Sequence, residues 1–178
     1  MKPLATRAAL TLLTLCSTAA WAAPGLCTRG ETVFFSCPVQ GGKIVSLCGA
    51  IQSASDDDGG DEWLQYRFGK PGAIELAYPA NKRDSLDRFK GEHVLTHTRD
   101  FEIDLQSVGF VSGAIGYQVE SNMPQSRKLT EGITIGDPRK LDLPFDGKPR
   151  ASYPNTFVAC ASKAGTRHFY QLIHTLRD

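Results

Sequence analysis

Trp63-Leu-Gln-Tyr-Arg-Phe68, Gly69-Lys-Pro-Gly72 and Ala73-Ile-Glu-Leu-Ala-Tyr78 form one stretch whose reading decides the fold class. Leu64, Tyr66 and Phe68 alternate with Gln65 and Arg67, the period-two pattern of a half-buried strand. The next four residues are turn chemistry, 73–78 reads as the return strand, and Pro79 ends it. Upstream, Glu31-Thr-Val-Phe-Phe-Ser-Cys37 and Ile44-Val-Ser-Leu-Cys48 read as another strand pair around 38–43. Downstream, 92–98, 101–105, 129–135 and 156–160 read as strands. The glycine-spaced apolar run 108–119 reads as a strand with a bulge or a close backbone approach. Residues 81–90 have room for one helical turn, and the proline-rich 137–154 reads as an ordered surface loop. In 167–178, Phe169, Leu172, Ile173 and Leu176 share one helical face. Short strands joined by Gly/Pro turns, without helices between them, predict a mainly β domain. The expected form is an antiparallel sandwich or open barrel with a short C-terminal helix.

The chain has 178 residues, with 20 Lys+Arg against 19 Asp+Glu. Its first 22 residues carry a positive start (Lys2, Arg7), a short apolar run at 8–15 and Ala20-Trp-Ala22, the pattern of a removable export signal. The run is about half of the ~20 apolar residues a membrane span needs. Lipid attachment at Cys16 would require a small residue before it, where Leu15 stands. The expected mature chain is one domain, 23–178, in the periplasm or secreted, with no transmembrane segment. Its near-neutral charge argues against a nucleic-acid partner.

Cys27, Cys37, Cys48 and Cys160 remain after the signal, an even count that reads as two disulfides in an oxidising compartment. Three connectivities are open. A two-residue turn at Gly42-Lys43 would set Cys37 opposite Cys48 and leave Cys27 for Cys160; a one-residue shift of the turn breaks that arrangement. Zinc is disfavoured by the wide spacings.

No catalytic signature stands out. There is no G-x-S-x-G elbow, Ser-x-x-Lys or nucleotide loop, and paired carboxylates could be drawn from any of 19 acids. Asp56-Asp-Asp-Gly-Gly-Asp-Glu62 offers hard oxygens for calcium, but an EF-hand pattern would close with Glu at 67, where Arg67 stands. His93 and His97 would need a third metal ligand, and Glu102 and Asp104 read as a solvated strand face. No cofactor is expected. Two recognition candidates are weighed against plain packing: Arg67 among its aromatic neighbours, and Ser112-Gly113-Ala-Ile-Gly-Tyr117, which could present backbone and a rigid ring to a partner.

The 31–49 and 64–79 segments together resemble the opening half of a group of small, uncharacterised exported bacterial proteins. That resemblance implies export and two adjacent hairpins, and it implies no activity. A looser similarity is to the periplasmic lysozyme inhibitors, small exported β domains that insert a Ser-Gly-x-x-Tyr loop into the lysozyme cleft. Ser112, Gly113 and Tyr117 fit that pattern with one extra residue between Gly and Tyr. The function expected is a non-enzymatic binding domain for a protein, such as a lysozyme, or an envelope component. The alternatives are lysozyme inhibition specifically and hydrolysis of an envelope polymer.

Overall fold

The computed structural model describes residues 25–51, 62–97, 102–124, 129–144 and 154–177. The proposed signal and nearly all of the acidic loop lie outside them. Among the described residues, nine strands form two antiparallel sheets. The first holds β1 (Thr32–Val39), β2 (Lys43–Ala50), β3 (Trp63–Lys70) and β4 (Ala73–Tyr78), in that order. The second holds β5 (Lys90–His97), β6 (Glu102–Ser112), β7 (Ile115–Pro124), β8 (Thr130–Gly136) and β9 (Thr156–Ala159). Within each sheet every strand pairs with its neighbours in sequence, the usual order for consecutive antiparallel strands. The fold is mainly β, and among the described residues the sheets do not close into a barrel.

Alternation decides which faces meet. Leu64, Tyr66 and Phe68 lie on the inner face of β3, level with Gly49, Leu47 and Val45 of β2. Opposite them, Val108 and Phe110 of β6, Val119 of β7 and Ile133 of β8 fill the second sheet's inner face, all nearly inaccessible. An aromatic seam joins the layers. Phe110 lies 4.9 Å from Tyr66, 4.6 Å from Tyr78 and 4.9 Å from Tyr117, ring centre to ring centre. Such pairs add about 0.5–1.5 kcal/mol each beyond the area they bury.

The C-terminal helix is present as α1 (Phe169–Thr175), and Phe169, Leu172 and Ile173 are its buried residues, as the periodicity indicated. It packs on β5, β6 and β1, with the Phe169 ring 5.3 Å from that of Phe35. Gly91 of β5 allows this approach, because a Cβ there would stand 2.7 Å from the Ile173 carbonyl oxygen. A short 3-10 turn at Leu86–Arg88 falls in the segment given room for one helical turn. Another, Pro138–Leu141, begins the proline-rich loop, and Leu141 and Leu143 pack over Gly116 and Gly109.

Two parts of the sequence reading are corrected. Residues 108–119 are not one bulged strand: β6 and β7 pair without a register shift, around a two-residue turn at Gly113-Ala114. The disulfides are Cys27–Cys48 and Cys37–Cys160, not Cys37–Cys48 and Cys27–Cys160. The cause is the turn. Val39 pairs with Lys43, so the loop is Gln40-Gly41-Gly42, with φ of +83° and +71° at the two glycines. Glycine takes such angles without steric cost. The register therefore sets Cys37 opposite Val45 on the inner face, while Cys48 points to the outer one.

Candidate functional site

The outer face of the first sheet is covered around Arg67, and this decides the role of that residue. The segment before β1 crosses that face, pinned by Cys27–Cys48 and by Leu26, whose N–H donates to Ser46 Oγ at 3.1 Å. Arg67 is only 5% exposed beneath it. Its guanidinium donates to Glu31 through Nη1 and Nη2, at 2.6 and 2.8 Å, and to the Leu26 carbonyl at 2.9 Å. Its Nε donates to Gln65 Oε1 at 2.9 Å. Burial pushes the Glu31 carboxyl pKa up, but hydrogen bonds from Arg67, the Thr28 N–H and Lys82 outweigh it and bring the pKa down to about 2. Lys82 also sits 3.8 Å above the Trp63 ring. Arg67 is thus a structural cation and not part of an open recognition face. The alternation correctly turned it away from the core, but it could not reveal the strap above it.

Ser112 and Gly113 stand at the tip of the β6–β7 hairpin, where Gly113 is exposed and Ser112 pairs with Ile115. Tyr117 lies back from the tip, on the inner face. Its ring is half-buried and stacked on Phe110 with 6° between planes. The hairpin therefore does not project a Ser–Tyr loop of the kind a lysozyme inhibitor inserts.

Tyr117 instead belongs to a cleft between the sheets. This space of about 340 Å³ opens beside the β1–β2 turn. The first sheet contributes Val39, Tyr66, Phe68 and Leu76, and the second contributes Tyr117, Ile133, Ile135 and Val158. Gln40 and Lys43 stand at the rim. Lys43 Nζ is 2.7 Å from Glu75 Oε2 and lies 5.1 Å over the Phe68 ring. Burial raises the pKa of Tyr66, with the neighbouring Tyr117 adding to it, and burial raises that of Tyr117 too. Both phenols are therefore neutral donors and acceptors at neutral pH. No pattern in the sequence announced this cleft. Its residues come from seven strands and the first turn, and each of the apolar and aromatic ones alone reads as ordinary core.

Two larger hollows, of about 480 and about 450 Å³, lie elsewhere. The carboxylate of each is already engaged: Glu131 accepts from the Ala164 N–H at 2.7 Å, and Glu31 is held by Arg67. Among the described residues, the cleft lining carries no carboxylate that could serve a hydrolase. His93 meets Asp104 at 3.0 Å and packs edge-on against Tyr170 of α1. Cys27, Glu31 and Cys48 gather three potential metal donors, but the two sulfurs are bonded to each other and offer no thiolates.

No protein-family model, curated protein or solved structure matches this chain.

Proposed function

We infer that this chain is an exported, disulfide-stabilised, non-enzymatic binding domain, and that its ligand site is the inter-sheet cleft floored by Tyr66 and Tyr117. The cleft is the observation that carries the reading. It is concave and mostly apolar, with a few polar side chains (Gln40, Lys43, Tyr66 and Tyr117) in its lining, which is the usual composition of a small-molecule site. Two formed disulfides and a signal-like start support export. No helix among the described residues is long and apolar enough to cross a membrane.

The test is expression of the full chain in a Gram-negative host, followed by native mass spectrometry of the periplasmic fraction. The expected product begins at Ala23, has both disulfides oxidised, and carries an extra small-molecule mass. Val158→Trp, which fills the cleft from the short strand β9, should remove that mass from a still-folded protein. Retention of the chain in the cytoplasm overturns export. An added mass that Val158→Trp leaves unchanged overturns the cleft as the site.

A further inference from the structure

We propose that the cleft holds one small, uncharged two-ring molecule, hydrogen-bonded through a hydroxyl or carbonyl to the phenols of Tyr66 and Tyr117. The proposal rests on the cleft being the binding site and adds the chemistry of its occupant.

Size comes first. An apolar cavity of ~150 Å³ admits a single benzene ring. The space here, about 340 Å³, is roughly twice that. It suits two rings and is too small for a two-chain lipid or an inserted protein segment.

Shape follows from the walls. Tyr66, Phe68 and Tyr117 present ring surfaces, and Tyr117 already stacks on Phe110 at 4.9 Å. A flat ligand extends this layering by offset or edge contacts, which aromatic pairs prefer.

Charge is decided at the rim. Lys43 and Glu75 neutralise each other at 2.7 Å, and no other charged side chain lines the cleft. A carboxylate or ammonium drawn inside would give up water without gaining a partner. Polarity inside is limited to the two phenols. Tyr66 is 2% exposed and Tyr117 is half-buried, and each phenol hydroxyl can both donate and accept. A ligand that covers these hydroxyls displaces their water, and leaving a covered hydroxyl without a partner costs roughly 1–3 kcal/mol, so the occupant must offer a hydroxyl or carbonyl.

The experiment uses the disulfide-intact protein, labelled with ¹⁵N and titrated at pH 7 with 2-naphthol, naphthalene and 2-naphthoate. The expected result is that 2-naphthol shifts the amides of Tyr66, Tyr117 and Ile133. It should bind on the order of tenfold more tightly than 2-naphthoate, the penalty for burying an unpaired charge. Tyr66→Phe with Tyr117→Phe should lower the affinity for 2-naphthol to that for naphthalene. If the double variant does not fold, Tyr117→Phe alone carries the comparison, because that ring is only half-buried. Binding of 2-naphthoate at those amides as tightly as 2-naphthol overturns the ligand class and leaves the cleft as the site. No shift at those amides with any of the three compounds overturns the cleft reading itself.

Discussion

Glu31 and Arg67, 36 residues apart, meet in a two-pronged ion pair that holds the N-terminal strap against the first sheet. Both are nearly buried, with side chains 8% and 6% exposed. A buried pair is weak evidence of net stabilisation, but removing one partner strands a charge. Arg67→Met should therefore destabilise the fold by at most about 3–5 kcal/mol, because Lys82 and the Thr28 N–H still donate to Glu31, and the loss is read as a lower urea midpoint with little change in slope. The double variant Arg67→Met, Glu31→Gln should recover part of that loss. If the double variant is no more stable than the single one, stranding of Glu31 is not the cause.

The same pair sets an acid limit. The Glu31 carboxyl is held at about 2, below its ordinary 4.5. The unfolded chain therefore binds this proton first as pH falls. Its stabilising contribution is fully present above about pH 4.5 and is lost as pH falls toward 2, amounting to roughly 3 kcal/mol. Urea midpoints measured across that interval should fall steeply for the parent protein. The fall should be shallower for Glu31→Gln, and equal slopes would show that other carboxyls govern the acid transition.

Connectivity can be read directly. Unreduced peptide mapping should find Cys27 joined to Cys48 and Cys37 joined to Cys160. The bonds span 21 and 123 residues, so chain entropy assigns the longer one the larger effect. Cys37→Ala with Cys160→Ala should cost about 4–5 kcal/mol, and Cys27→Ala with Cys48→Ala about 3 kcal/mol. A peptide joining Cys37 to Cys48 would refute the hairpin register described for β1 and β2.

The helix–sheet contact is equally specific. Gly91→Ala would set a methyl 2.7 Å from the Ile173 carbonyl oxygen and 2.9 Å from Leu176 Cβ. Since the first of these is backbone, α1 must move away. The expected cost is roughly 1–3 kcal/mol, the usual range for an overpacked site, measured by urea unfolding. The shift should also alter the ring-proton signals of His93, which packs against Tyr170 and His174 of α1. Unchanged His93 signals would mean that the helix is not seated where described.

Much of the architecture was legible because it is local. Alternation in 64–68 places Leu64, Tyr66 and Phe68 inward whatever else the chain does, since a strand's side chains point alternately to its two faces. The 3.6-residue period likewise set Phe169, Leu172 and Ile173 on one side of α1. Strand patterns and turn residues were enough for a mainly β antiparallel fold with a short terminal helix, but they left a sandwich and an open barrel both open. The strand boundary inside 108–119 was missed because Gly113-Ala114 makes a turn of only two residues. Such a turn leaves the apolar run unbroken to the eye.

What only the tertiary structure decided depends on pairs distant in sequence. A shift in one glycine turn set Cys37 and Cys48 on opposite faces of the sheet and exchanged the disulfide partners. The fate of Arg67 was set by a segment 36 residues earlier, and that of Tyr117 by a ring on another strand, Phe110. The cleft exists only where two separately legible sheets fail to fill the space between them. Alternation assigns a side chain to a face; how far the opposing face stands from it is a property of packing.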